Sequence, residues 1–250
     1  MIDIHSHILP KVDDGSKCLS MTYEMLRRCE FDGIKEIIAT PHYYGYNSIN
    51  FRRVKARVSM LNKLICKKNL SVKIYHGQEV YLTYNLIKQY EKKEIGTLND
   101  SRYMLIELDM KKFTNRMLNI IYELRIRGIV PIIAHPERNN YILNDLTVIN
   151  SLIEEGCLFQ LNSGSIEGKF GWKVKRQAKL LIDKNIYNFI GSDAHDNKKR
   201  ILTIKNAMGI IGKKNKLYKK KFDDDSKKLL NNEEIIFKGE NINVKRWYFI

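Results

Sequence analysis

The run 2–15, IDIHSHILPKVDDG, places His5 and His7 at the end of a short apolar stretch, with Asp13 and Asp14 close behind. Residues i and i+2 of a strand point the same way, so this pair can offer two imidazoles to one ion from a single element. Taken alone, an HxH pair fits two surface histidines before a turn equally well. The rest of the chain decides. It has 6 histidines, and the others also end apolar runs: His42 in IIATPHY, His76 in KIYHGQE, His135 in IIAHPER and His195 in FIGSDAH. Glu79, Glu107 and Asp193 stand at the ends of such runs too. Imidazole and carboxylate without thiolate suit Mn, Fe, Zn or Mg. Asp14, Glu79, Glu107 and Asp193 carry four negative charges. Two divalent ions would neutralise that shell, and three would leave it at +2, the balance that favours a phosphate dianion.

The groups can converge only if the runs that carry them lie side by side. Seven apolar or β-branched runs, 2–5, 36–40, 72–76, 103–108, 130–134, 157–161 and 187–191, alternate with helical patterns. Val54, Val58, Leu61 and Ile65 repeat at the helical period, as do Met117, Ile121 and Leu124 after a candidate N-cap at Thr114, with Gly128 ending that helix. Further helices are expected over 16–31 and 174–182. Strands alternating with helices predict a parallel sheet, and seven units without edge chemistry predict a closed or nearly closed barrel with its functional groups at the C-terminal strand ends.

Composition narrows the function classes. With 250 residues, 44% hydrophobic and 29% charged, the chain reads as one globular domain, 1–250. No signal peptide or membrane span is legible, so a cytoplasmic protein is expected. The 4 cysteines, Cys18, Cys29, Cys66 and Cys157, show no CxxC spacing, which argues against disulfides and thiolate zinc sites. A cysteine phosphatase needs an Arg six residues after its nucleophile. Those positions hold Glu24, Lys35, Val72 and Ser163, so that chemistry is excluded. The net charge of +16 raises encounter rates with anions. The basic residues are nevertheless spread along the chain, with one denser run at 213–221, and read as a lysine-rich surface without stable nucleic-acid binding.

The chain resembles the PHP metallohydrolase superfamily, most closely its bacterial CpsB/YwqE branch of tyrosine-protein phosphatases. MIDIHSHILPKVDDG, YEMLRRCEFDGIKEIIATPHYY, GQEVYL, TLNDSRYMLIEL, IIAHPERN, QLNSGSIEGKFG and GSDAH carry the likeness, in order and over nearly the whole chain. It implies a single-domain, distorted (β/α)₇ TIM-like barrel (PHP fold) holding three divalent ions, commonly Mn²⁺. By position, His5, His7, Glu79 and Asp193 would hold the first ion, Glu79, Glu107 and His135 the second, and Asp14, His42 and His195 the third. Asp13 becomes their neighbour. His76 has no ligand counterpart and is expected at the rim.

In such a cluster a hydroxide bridging two ions is nucleophilic near neutral pH, and no phosphoenzyme is required. Arg138, three residues past His135, can offer a planar fork to the phosphoryl oxygens. Arg200 lies where the resembling family places a basic residue beside the phosphate. Tyr43, Tyr44 and Tyr46 are expected to rim the cleft, either stacking on a substrate ring or packing their own loop. The implied activity is phosphotyrosine hydrolysis, with the tyrosine-rich tail of an autokinase of capsule or exopolysaccharide synthesis as partner. Histidinol-phosphate phosphatase is the alternative within the superfamily. A nucleic-acid phosphodiesterase or binding protein is the alternative outside it.

Overall fold

Each expected run forms parallel strand, and those at 36–40 and 72–76 are each followed, after a break, by a second short strand. The computed structural model describes residues 1–110, 112–214 and 217–242. Its strands are β1 (Ile2–Ser6), β2 (Glu36–Ala39), β3 (His42–Tyr43), β4 (Lys73–His76), β5 (Glu79–Tyr81), β6 (Tyr103–Glu107), β7 (Val130–Ala134), β8 (Leu158–Asn162) and β9 (Phe189–Gly191). They form two parallel sheets, ordered β1-β2-β4 and β3-β5-β6-β7-β8-β9. The helices α1 (Leu19–Phe31), α2 (Phe51–Cys66), α3 (Leu86–Glu91), α4 (Asn115–Ile126), α5 (Asn140–Asn144), α6 (Thr147–Glu154), α7 (Ser163–Glu167), α8 (Trp172–Asp183), α9 (Lys205–Lys214) and α10 (Leu217–Leu230) connect and cover them.

The breaks have local causes. Pro41 separates β2 from β3 and has no N–H to continue a ladder; its carbonyl instead accepts from Glu79 N at 3.1 Å. Between β4 and β5, Gly77 lies so close to Leu98 and Ile38 that an added Cβ would stand 2.6 and 2.9 Å from their side chains. Leu98 begins a 3₁₀ turn, Leu98–Asp100, that packs against both β4 and β6 where a strand pairing would otherwise continue. At the other seam, β1 and the end of β9 meet through one bridge, Ser6 with Ala194, and two bonds, His7 N to Ala194 O and Asp193 N to His5 O, both 2.8 Å. The result is a curled parallel sheet, a half-barrel in two pieces. Of the closed or nearly closed barrel expected from seven units, full closure is not found.

Strand alternation divides the core. On β6, Met104 and Ile106 join the larger apolar cluster under the helices, while Tyr103 and Leu105 join a second cluster with Ile2, Ile4, Ile132, Phe189 and Leu229 on the concave side. The next residue on that concave face is Glu107, so the strand that buries Leu105 delivers a carboxylate to the mouth of the curl. The expected helices form with small shifts. The first begins at Leu19 because Cys18 is still extended. Val54, Val58, Leu61 and Ile65 are the buried stripe of α2, which Asn50 caps by accepting from Arg53 N at 3.0 Å. Thr114 occupies the N-cap of α4 with extended backbone, but its hydroxyl makes no cap bond. Gly128 follows that helix at φ 77°.

Among the described residues, no helix is long and apolar enough to cross a membrane. The basic run 213–221 includes Asn215 and Lys216, which lie outside the described residues, as does the 243–250 end of the expected domain. Within that run Lys221 donates to Asn185 O at 3.2 Å and Oδ1 at 2.9 Å, and burial pushes its ammonium down to about 8.

Candidate metal centre

At the end of β1 the rings of His5 and His7 converge, with their Nε2 atoms 3.2 Å apart. Their other nitrogens are held from outside. His5 Nδ1 meets Gln160 Oε1 at 3.0 Å; the Gln160 amide nitrogen donates to Leu161 O at 2.6 Å, which leaves the oxygen as acceptor and makes His5 Nδ1 the donor. His7 Nδ1 donates to Asp13 Oδ2 at 2.7 Å. Asp13 also accepts from Gly15 N and His42 N, both at 3.0 Å, so it ties the loop after β1 to the start of β3. Both Nε2 atoms therefore face the cluster as acceptors, the orientation in which imidazole binds a cation. Gly191 permits this closeness: a Cβ there would stand 2.6 Å from that of His5.

Glu79, fully buried at the start of β5, is the centre. Its Oε2 lies 3.2 Å from His5 Nε2, 3.4 Å from His7 Nε2 and 2.9 Å from His42 Nδ1. Its Oε1 lies 3.0 Å from His135 Nε2. Asp193 takes the opposite flank, with Oδ1 3.6 and 3.5 Å from His5 and His7 Nε2. Asp14 Oδ1 stands 3.5 Å from His42 Nε2 and 3.3 Å from His195 Nε2, and Glu107 Oε2 lies 3.7 Å from His42 Nδ1.

The nine expected ligands thus fall into four overlapping groups whose donor atoms lie within 4.8 Å of one another: His7, Asp14, His42 and His195; His5, His7 and Asp193; His5, Glu79 and His135; His42, Glu79 and Glu107. Glu107 and His135 each adjoin Glu79 without sharing a group. His76 belongs to none of the four; it faces Asp100 at 3.1 Å, which Lys55 also contacts at 2.6 Å.

The electrostatics fit divalent cations. Burial alone would raise the Glu79 carboxyl, yet the charge of His5 and the close approach of the His135, His42 and His5 rings hold it well below the usual range. Burial and the adjacent Glu79 charge push Glu107 up to about 7. Burial and the Arg138 charge bring His135 down to about 4. Against burial, hydrogen bonds to Asp13, Asp193 and Glu79 raise His7 well above its ordinary value. One carboxylate is short of charge compensation while neighbouring imidazoles must carry protons to supply it, a conflict that cations at the centre remove. The buried atoms His42 Nδ1, Glu79 Oε2, Glu107 Oε2, His135 Nδ1 and His195 Nε2 make no hydrogen bond. Buried polar atoms are rarely left so, and all five residues belong to the mutually facing groups.

Arg138 and Arg200 meet at Asp193. Arg138 donates to Oδ2 at 2.5 Å with its guanidinium 4.3 Å from the Phe170 ring, and Arg200 reaches Oδ1 at 2.6 Å. Two cations on one carboxylate leave a positive surplus at the partly open side of the cluster. Of the three loop tyrosines, Tyr43 does not rim the cleft: it is buried and donates to Glu94 at 2.9 Å. Tyr44 stacks on His42, and Tyr46 is fully exposed.

Sequence reasoning missed the groups behind the cluster. Asn162 donates to Asp193 Oδ2 at 2.8 Å, and buried Glu137 accepts from Asn162 N at 3.0 Å and Tyr187 Oη at 2.9 Å. The available signal was Gln160 and Asn162 themselves, two polar residues at i and i+2 in the buried strand LFQLN. His135 and Asp193 also adopt φ of 33° and 51°, a left-handed conformation uncommon for non-glycine residues that turns both side chains off their strand ends.

Residues 1–234 match the family described as capsular polysaccharide synthesis, CpsB/CapC. The tyrosine-protein phosphatase YwqE of Bacillus subtilis is 35% identical over 214 residues, 85% of this chain and 84% of that protein. A crystal structure from a study of YwqE from B. subtilis and CpsB from Streptococcus pneumoniae, described as unique metal-dependent tyrosine phosphatases, superposes with a TM-score of 0.91 at 32% identity, covering 97% of this chain and 100% of that one. The histidinol phosphate phosphatase HisK of Lactococcus lactis, solved with zinc, L-histidinol and phosphate, reaches a TM-score of 0.50 at 15% identity, covering 88% and 93%, a likeness of fold alone. With the match running through every strand that supplies the cluster, the chain belongs to the CpsB/CapC family.

Proposed function

We propose that this chain is a metal-dependent protein-tyrosine phosphatase of capsular polysaccharide synthesis. The observation that carries the reading is the convergence of four imidazoles, His5, His7, His42 and His135, on the buried Glu79 carboxylate. We read the curled sheet as a distorted (β/α)₇ unit of the PHP type in one domain, acting in the cytoplasm on the phosphorylated tail of a tyrosine autokinase. Three ions, with Mn²⁺ as the first choice, would be held by His5, His7, Glu79 and Asp193, by Glu79, Glu107 and His135, and by Asp14, His42 and His195. The chemistry that divalent ions supply in such a site is Lewis acidity and a water made acidic enough to attack near neutral pH.

The chain's own residues do the rest. Gln160 and Asp13 keep the His5 and His7 rings aimed at the centre, and Asn162 steadies Asp193. Arg138 and Arg200 hold the charge of the phosphoryl group as it passes through the transition state. Phe170 keeps the Arg138 plane in place. The leaving phenol ionises near ~10, so its departure needs little help from an acid.

Purified protein assayed against a phosphotyrosine peptide, histidinol phosphate and single-stranded DNA, each with and without Mn²⁺, tests the reading. Mn²⁺-dependent release of phosphate from the peptide is expected. Faster turnover of histidinol phosphate would move the chain's activity to the other superfamily branch, and tight salt-dependent DNA binding would favour the nucleic-acid alternative.

The Glu79→Gln variant tests the centre separately. It keeps the shape but removes the charge on which the imidazoles converge, so elemental analysis should find at least one ion fewer than in wild type. Unchanged stoichiometry would mean that Glu79 does not bridge.

A further inference from the structure

The loop after β3 contains three tyrosines with different surroundings. Tyr43 is 3% exposed and Tyr46 102%, whereas Tyr44 is 55% exposed while touching the cluster. The Tyr44 ring stacks on His42 with centroids 4.7 Å apart and planes 27° from parallel. Tyr81, at the end of β5, presents its ring to Tyr44 at 5.5 Å and 61°. The two rings make a fixed aromatic corner beside the candidate ligands of β3 and β6. Arg138 and Arg200 stand on the other flank, at Asp193.

We propose that Tyr44, backed by Tyr81, is a specificity-determining residue that packs against the phenyl ring of an aryl phosphate. The inference rests on the phosphatase reading above and names what selects the substrate. An anion held between the arginines and the Glu79 centre has the cationic groups on one side and the aromatic corner on the other, so an aryl group extending from it meets Tyr44. Aromatic pairs in stacked or edge geometry gain about 0.5–1.5 kcal/mol beyond burial, roughly a twofold to tenfold change in affinity. An alkyl phosphate has no ring to make that contact. Stacking acts on the bound substrate and on the transition state alike, so its loss should appear in KM and not in kcat.

The test compares Mn²⁺-loaded wild type with Tyr44→Ala and Tyr44→Phe. It measures kcat and KM on a phosphotyrosine peptide, dissociation constants for phenylphosphonate and methylphosphonate by calorimetry, and ion content by elemental analysis. Tyr44→Ala should raise KM for the peptide and Kd for phenylphosphonate by about threefold to tenfold, with kcat, methylphosphonate binding and ion content unchanged. Tyr44→Phe keeps the ring and should stay within about twofold of wild type in both. Equal weakening of both phosphonates, a phenylphosphonate Kd untouched by Tyr44→Ala, or a Tyr44→Phe variant as impaired as Tyr44→Ala would overturn the inference. So would loss of ions in Tyr44→Ala, because Tyr44 would then act on His42 and not on the substrate. A wild type inactive on phosphotyrosine would overturn the phosphatase reading itself.

Discussion

Exhaustive chelation should abolish hydrolysis of a phosphotyrosine peptide and Mn²⁺ should restore it, while iodoacetamide should leave turnover largely intact. The expectation follows from where the reactive groups are. The clustered donors are imidazoles and carboxylates, and none of the four cysteines is among them. Cys29 and Cys157 are buried, which pushes both thiols up and keeps them protonated. Cys18 and Cys66 are exposed, and no Arg stands six residues beyond either.

Restoration by Mn²⁺ should also depend on pH. With Glu107 pushed up to about 7, its carboxyl keeps a proton below that value and must release it to bind a cation. Uptake should therefore weaken as pH falls through about 7 and strengthen above it, which titration of metal content by elemental analysis at several pH values would show. Full turnover after chelation, or complete loss in a folded Cys157→Ser variant, would remove the basis for a metal-dependent mechanism.

What the sequence revealed and what it hid divide along physical lines. His5, His7, His42, His135, Asp193 and His195 were legible because each follows an apolar run, and a parallel sheet brings such positions to one end. Glu107 was legible in the same way, at the end of the run 103–108, and the structure adds that it lies two residues past the inward Leu105. Sheet closure was not, because it turns on hydrogen bonds between distant segments: Pro41 and the Leu98–Asp100 turn interrupt ladders that hydrophobic patterning alone draws as continuous. Tyr43 and Tyr44 are adjacent, yet one is buried against Glu94 and the other lies on His42, a difference of side-chain direction that composition does not carry. Gln160 and Asn162 went unread for another reason. A polar residue in a buried strand announces that it has a partner without naming it, and here the partners are His5, 155 positions away, and Asp193, 31 away.

Replacing Arg138 with Ala should slow turnover of a phosphotyrosine peptide by ~10²-fold or more in kcat, the usual cost of removing a donor aimed at developing transition-state charge, while leaving the ion content intact. Arginine is cationic throughout the accessible pH range and cannot be a ligand. Its loss also does not strand Asp193, whose two oxygens keep Arg200 at 2.6 Å and Asn162 at 2.8 Å. The bond from Arg138 to Asp193 allows a competing role, in which the guanidinium only compensates a buried carboxylate. The two roles predict different results. A compensating charge should tolerate Arg138→Lys, whereas a planar fork set over Phe170 to grip two phosphoryl oxygens should not, because an ammonium cannot make paired bonds. Elemental analysis alongside kcat and KM for both variants separates them. Near wild-type kcat/KM in Arg138→Ala with its ions retained would reduce Arg138 to a partner of Asp193, and the phosphoryl clamp would then fall to Arg200, whose buried Nε makes no hydrogen bond and so has a donor to spare.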